Sequence, residues 1–220
     1  MSDQENDKPV LLKAIELVLA DPKSIREEAL SLKRKYTHRY KDDRSIEEIE
    51  EYTAEKIISN YSYYTAFIGA STALTGVIPG LGTLISTFGG ATADAALSMK
   101  YQIEMTMALA TVYGHDITNN EEQRICLIVA GLGTINEAGK EGGKEISKKA
   151  FIKMTQKYLQ GATLTAVKEI FKKVGITFTR KAFEKSIPFG VGVIIGFSAN
   201  KGLTWYVGTK AKDFFSFNEE

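Results

Sequence analysis

IISNYSYYTAFIGASTALTGVIPGLGTLISTFGGATA, residues 57–93, is a run of 37 positions without one charged side chain. A neutral helical stretch this long needs shelter, either from the rest of the protein or from lipid. Pro79 lies inside it, in Ile78-Pro79-Gly80-Leu81-Gly82. Proline removes an amide donor and clashes with the preceding turn, so the run predicts two helical arms with a break between them. About 20 uncharged residues precede the break and about 11 follow it. The second arm continues through Asp94 to Tyr113, and Gly114 takes the position just after the helix end.

The flanks carry the same helical signature. Upstream, Ser45 and Glu48 form a capping box that opens the first arm. Before it, a helix is expected from about Ser24 to Tyr40, with a charged outer face. Another runs from Pro9 to near Asp21, with Leu11, Leu12, Ile15, Val18 and Leu19 as its apolar stripe. Downstream, Asn119 and Glu122 open a helix that carries Ile125 to Ile135. A basic helix follows, about Glu145 to Gln160, and Gly161 and Gly175 bracket a short one. The last unit starts at Ile187-Pro188-Phe189-Gly190-Val191-Gly192 and runs on to Asn200. Prolines number four, apolar residues recur mainly at three and four, and no stretch shows a convincing period of two flanked by hairpin turns. The expected fold is all-α: a single multi-helix bundle around a central apolar, glycine-rich hairpin. Residues 1–44 form an N-terminal helical pair, 45–216 the main helical domain, and 217–220 a tail.

Two segments echo each other, Ile-Pro-Gly-Leu-Gly at 78–82 and Ile-Pro-Phe-Gly-Val-Gly at 187–192. Small residues let helix backbones approach closely. Gly76, Pro79, Gly80 and Gly82, with Pro188, Gly190, Gly192 and Gly196, therefore mark two candidate tight crossings. The plainer reading is two unrelated Pro-Gly turns.

At 220 residues the chain can bury one sizeable core or two small ones. Its formal charge of +1 gives no global field for nucleic acid. Residues 1–56 hold 11 Lys/Arg against 14 Asp/Glu, whereas residues 137–185 hold 12 against 5. The basic stretch reads first as a solvated helix surface, and second as a face for anionic headgroups or an acidic partner. A single cysteine, Cys126, excludes an internal disulfide and fits a reducing compartment. No basic and then apolar leader opens the chain, so a cytoplasmic location is expected, with peripheral attachment at the inner membrane as its extension.

The arm Ile57–Val77 is long enough for a bilayer, which takes about 20 residues. However, Asn60, Tyr61, Ser62, Tyr63, Tyr64 and Thr65 make it marginal. The second arm soon meets Asp94, Lys100 and Glu104, and charges at mid-bilayer cost at least about 2.5–3.5 kcal/mol each. The stretch Ser186–Asn200 is too short alone. A hairpin buried in protein is the first expectation, peripheral or conditional membrane contact the second, and an integral hairpin the third.

On a helical wheel Asp94 shares a face with Leu97, Tyr101, Met105, Ala108 and Val112. Gln102 flanks that face, and Glu104 at its edge can pair with Lys100 at i,i+4. With Asn200, these residues form a candidate polar site within the bundle. The structural alternative pairs Asp94 with a lysine or with backbone amides, or places it at a helix start after Gly89-Gly90.

Catalytic motifs are absent from the sequence. His38, His115 and Cys126 cannot make a zinc set, and no Glu-x-x-His pair occurs. Gly133 to Glu141 misses the phosphate loop by one residue and lacks its Ser/Thr. Gly190 to Gly196 misses the dinucleotide fingerprint by one. No Gly-x-Ser-x-Gly elbow exists. No metal, cofactor or catalytic residue is expected.

The order of Gly76-Val-Ile-Pro-Gly-Leu-Gly-Thr83, Asp94, Gln102 to Ala110 and Tyr113-Gly114-His-Asp116 resembles the EcsC family. The closing segment strengthens the likeness, with Ile187 to Gly192, Asn200, Thr204, Val207-Gly208, Ala211 and Phe214-Phe215. It covers about residues 45–216, with residues 1–44 outside its best-matching part. The resemblance implies a helical, bacterial protein without an established activity. The family's name, from a gene beside an ABC transporter, implies membrane-associated work. The functional expectation is a non-enzymatic interaction protein that meets a membrane surface or membrane protein through its hairpin. Two alternatives stand beside it. One is a lipid- or small-molecule-binding module, or weak enzyme, with a buried pocket centred on Asp94. The other is a membrane-inserting toxin or immunity component.

Overall fold

Local signals set most helix ends. The computed structural model describes residues 8–68, 81–138, 146–160, 163–185 and 192–217. Its helices are α1 (Val10–Glu16), α2 (Pro22–Tyr40), α3 (Ile46–Ile68), α4 (Leu81–Phe88), α5 (Gly90–Val112), α6 (Asn120–Ala138), α7 (Lys148–Leu159), α8 (Thr163–Lys185) and α9 (Gly192–Phe215). No strand occurs among the described residues. The fold is all-α.

Asp21 caps α2 by accepting from the Lys23 amide at 3.2 Å, with Pro22 in the first helical position. At α3 the capping box is complete. Ser45 N donates to Glu48 at 2.8 Å, and Glu48 N donates to the Ser45 hydroxyl at 3.2 Å. Gly114, at φ +92, ends α5, and the following His115 amide reaches back to the Ala110 carbonyl. That left-handed position is why glycine stands there. Asn119 caps α6 through the Glu121 amide, and Ser147 caps α7 through the Ala150 amide.

Two expectations are corrected. The second arm does not run unbroken from the proline, because Gly89, at φ +80, separates α4 from α5. Nor does Gly175 end a short helix, because α8 passes straight through it to Lys185. A glycine inside a helix costs only about 1 kcal/mol. Packing against Leu11 fills the space beside it.

The centre of the bundle is α5, the continuation of the second arm. Helices α1, α2, α3, α4, α6, α8 and α9 all pack on it. Leu97, Met99, Ile103, Met105, Met107, Leu109 and Val112 are buried around its whole circumference. The helix therefore has no solvent stripe, as befits a helix enclosed by others. Leu11, Ile15 and Val18 of the N-terminal pair join the same core as Ile58, Phe171 and Val207. Helix α4 differs from the expected shelter: among its described side chains Leu84 alone is buried, and Ile85 is 39% exposed.

Several buried threonines share one device. Thr53, Thr106, Thr111 and Thr155 each donate to the carbonyl four residues back. Such self-satisfaction makes a hydroxyl tolerable in an apolar core.

Candidate functional site

Helix α5 positions the polar groups read from the sequence, but separates them. Gln102 is fully buried in a layer joining three helices. Its Oε1 accepts from the Thr134 hydroxyl of α6 at 2.7 Å, and its Nε2 donates to the Thr204 hydroxyl of α9 at 3.5 Å. With its amide paired on both sides, Gln102 registers α5 against its neighbours.

Glu104 points the other way around α5. Lys100 Nζ donates to its two carboxylate oxygens at 2.6 and 2.7 Å, the i,i+4 pair expected from the spacing. The Ala20 amide, in the link between α1 and α2, donates to the same carboxylate at 2.8 Å. Glu104 thus ties the N-terminal pair to the central helix.

Asp94 lies elsewhere. It is exposed in the second turn of α5, not buried with the apolar face. Partial desolvation alone raises its carboxyl above the usual range. Asp94 lies beyond the first turn of α5, so it does not cap the helix start after Gly89-Gly90. The side chain of Asn200 lies outside the described residues, so Asp94, Gln102 and Glu104 form no common site.

Of the glycine crossings, Gly76, Pro79, Gly80, Pro188 and Gly190 lie outside the described residues. Gly192 and Gly196 fall in the first turns of α9. Gly82 is no crossing, since a Cβ there would meet only open space. The tight crossings that the sequence reading missed are at Gly131, Gly133 and Gly208. A Cβ on Gly131 would collide with Ile170, and one on Gly133 would crowd Val207 at 3.3 Å. One on Gly208 would lie 2.8 Å from Ile58 and 2.9 Å from Met105. The signal was small residues inside otherwise apolar helices.

Beside Glu104, helices α2, α3 and α5 frame a cleft of about 210 Å³ that opens to the surface. Glu28, Asn60, Tyr61, Tyr64, Tyr101 and Glu104 line it over an apolar floor that includes Ile25, Leu32 and Ile57. Asp94 and Gln102 are not among its lining residues. The three rings form a cluster: Tyr61–Tyr64 at 5.7 Å, Tyr64–Tyr101 at 5.9 Å and Tyr61–Tyr101 at 6.3 Å between centroids. Tyr61 and Tyr64 are spaced i,i+3, which puts them on one face of α3. Burial, then the charges of Glu104 and Glu28, push the Tyr61 phenol well above its ordinary range. Burial, then Glu51 and other carboxylates, push Tyr113 up to about 12.

These shifts predict an alkaline limit. Above pH 10.0, the ordinary phenol value, the unfolded chain sheds protons that folded Tyr61 and Tyr113 keep. Stability is therefore complete below that pH and falls as pH climbs toward about 12. Phenolate absorbance at these residues should appear together with loss of the helical circular dichroism signal. Ionisation of all tyrosines in a fully helical protein would contradict it.

At the other end of α5, His115 Nδ1 lies 3.0 Å from Glu122, with its ring edge-on to Phe215. Cys126 is fully buried, and burial raises its thiol far above the usual range, so it is no nucleophile. Among the described residues no group of His, Cys, Asp and Glu is arranged to hold a metal.

The EcsC protein family matches the chain over residues 8–217. The match takes in α1 and α2, which the resemblance read from the sequence had left outside its best part. No curated protein and no solved structure matches the chain. With nearly its whole length covered by one family, the chain belongs to the EcsC protein family.

Proposed function

We propose that the protein is an interaction module that docks peripherally on a membrane through the end of the bundle where α3 finishes, α4 lies and α5 begins. One observation carries this reading: α4 is a charge-free helix with Ile85 on its open side, and exposed Tyr63 and Tyr64 stand in the last two turns of α3. Tyr63 is 49% exposed and Tyr64 52%; Trp205, 49% exposed, lies farther along the bundle, next to the Thr204 that meets Gln102. Lys201, in the third turn of α9, lies over the Tyr63 ring at 3.9 Å.

Tyrosine and tryptophan favour the membrane interface because an apolar ring and a polar tip match its two sides. Residues 57–93 lack charge, so this stretch itself offers lipid no ion to desolvate, with Asp94 and Lys201 at its margin. Among the described residues no helix is long and apolar enough to cross a membrane. The reading is therefore docking on the surface. Exposed Lys148, Lys149, Lys153 and Lys172 on α7 and α8 add attraction to anionic headgroups, in keeping with their solvated positions.

The test is co-sedimentation with phosphatidylglycerol-containing vesicles. The intact protein should pellet with them, and Ile85→Asp should lower the partition coefficient at least about tenfold while leaving the fold intact. Equal pelleting of the two proteins, or no pelleting of either, would reject this reading.

A further inference from the structure

We propose that the cleft between α2, α3 and α5 binds a small organic cation, a quaternary ammonium head held over the Tyr61, Tyr64 and Tyr101 rings and facing Glu28. Aromatic faces carry negative quadrupole charge and attract cations that have little hydration to lose. Three tyrosines clustered within 6.3 Å of one another, with an apolar floor below, supply such faces together with contact for methyl groups. The cleft's volume of about 210 Å³ suits a head of trimethylammonium size.

The charges point the same way. The Glu104 carboxylate is balanced by Lys100, which lies outside the lining and itself rests 4.5 Å from the Tyr101 ring centre. Glu28 forms no ion pair among the described residues, so it is the cleft's unbalanced charge. Its field reaches the Tyr61 phenol and raises it. Two carboxylates on the lining disfavour an anion. A hard metal ion is disfavoured too, because it needs several oxygen ligands and Glu28 is the one carboxylate not already paired. An organic cation uses one carboxylate and the Tyr61 and Tyr64 rings, with Tyr101, which already carries Lys100, closing the side of the cleft. The cleft shares Tyr64 with the proposed docking end, but choline binding is read without vesicles, so it stands or falls apart from membrane docking.

The experiment titrates choline into the protein without vesicles and follows the ring protons of Tyr61, Tyr64 and Tyr101 by NMR. Choline should shift them saturably, while its neutral isostere 3,3-dimethylbutan-1-ol should bind at least about fivefold more weakly. Tyr64→Ala and Glu28→Gln, both at exposed positions where refolding trouble is least expected, should each weaken choline about fivefold. Tyr101→Phe keeps the ring and should retain binding. Stronger pelleting with phosphatidylcholine than with phosphatidylglycerol vesicles, competed by free choline, would assign the cation to a lipid headgroup. Choline binding without that preference would assign it to a free metabolite, and both support the proposal. No saturable shift, or equal affinity for choline and its neutral isostere, would overturn it.

Discussion

Glu104→Leu should destabilise the protein by about 3–5 kcal/mol, the largest effect expected of a single side chain here. The substitution leaves the Lys100 ammonium with its side chain 11% exposed and no counter-charge. It also strips the Ala20 amide of its acceptor. Water cannot fully replace either partner so close to the core. Pairing the change with Lys100→Met should recover at least about 2 kcal/mol, since removing both charges costs much less than stranding one. Urea unfolding of the single and double variants measures the difference. A loss below about 1 kcal/mol for the single variant would mean that the pair does not fasten α1 and α2 to α5.

Gly208→Val should cost about 3 kcal/mol through overpacking. The first added carbon would already lie 2.8 Å from Ile58 and 2.9 Å from Met105, and two further methyl groups would follow. Both neighbours are buried, with 2% and 0% exposure, so neither has free space to move into. Separation of α9 from α3 and α5 would be the remaining relief, and it would break the Gln102–Thr204 contact nearby. Gly202→Ala is the control, because no atom lies within 4 Å of its added carbon. On an open helix face that change should stabilise by about 0.5–1 kcal/mol. Similar melting temperatures for the two variants would refute the assignment of Gly208 to a tight crossing.

What could be read from sequence alone was what a few neighbouring residues decide. The Ser45–Glu48 box, the glycine at 114 and the Lys100–Glu104 pair depend on spacings of one to four, and all three are present. Asp94 went astray because a helical wheel needs a polar side to orient it. Helix α5 is enclosed on nearly every side, with Lys100, Gln102 and Glu104 among its buried residues, so no solvent stripe fixed the wheel. Asp94 is exposed although Ala93, Ala95 and Ala96 beside it are buried. The glycine crossings failed for a related reason. Pro-Gly turns are conspicuous in a sequence, but a crossing is made by whatever lies opposite. Nothing near Gly131 in the chain announces Ile170. The tyrosine cleft joins residues 28, 61, 64, 101 and 104, and only the Tyr61–Tyr64 spacing hinted at it.

Trp205 gives the most direct test of docking, since it is the single tryptophan and lies exposed on α9, one turn from the Lys201 that covers the Tyr63 ring. Its emission should shift to the blue when vesicles are added, and lipids brominated on the acyl chains should quench it. Unchanged emission and no bromine quenching, with the protein still folded, would contradict a membrane-facing hairpin end.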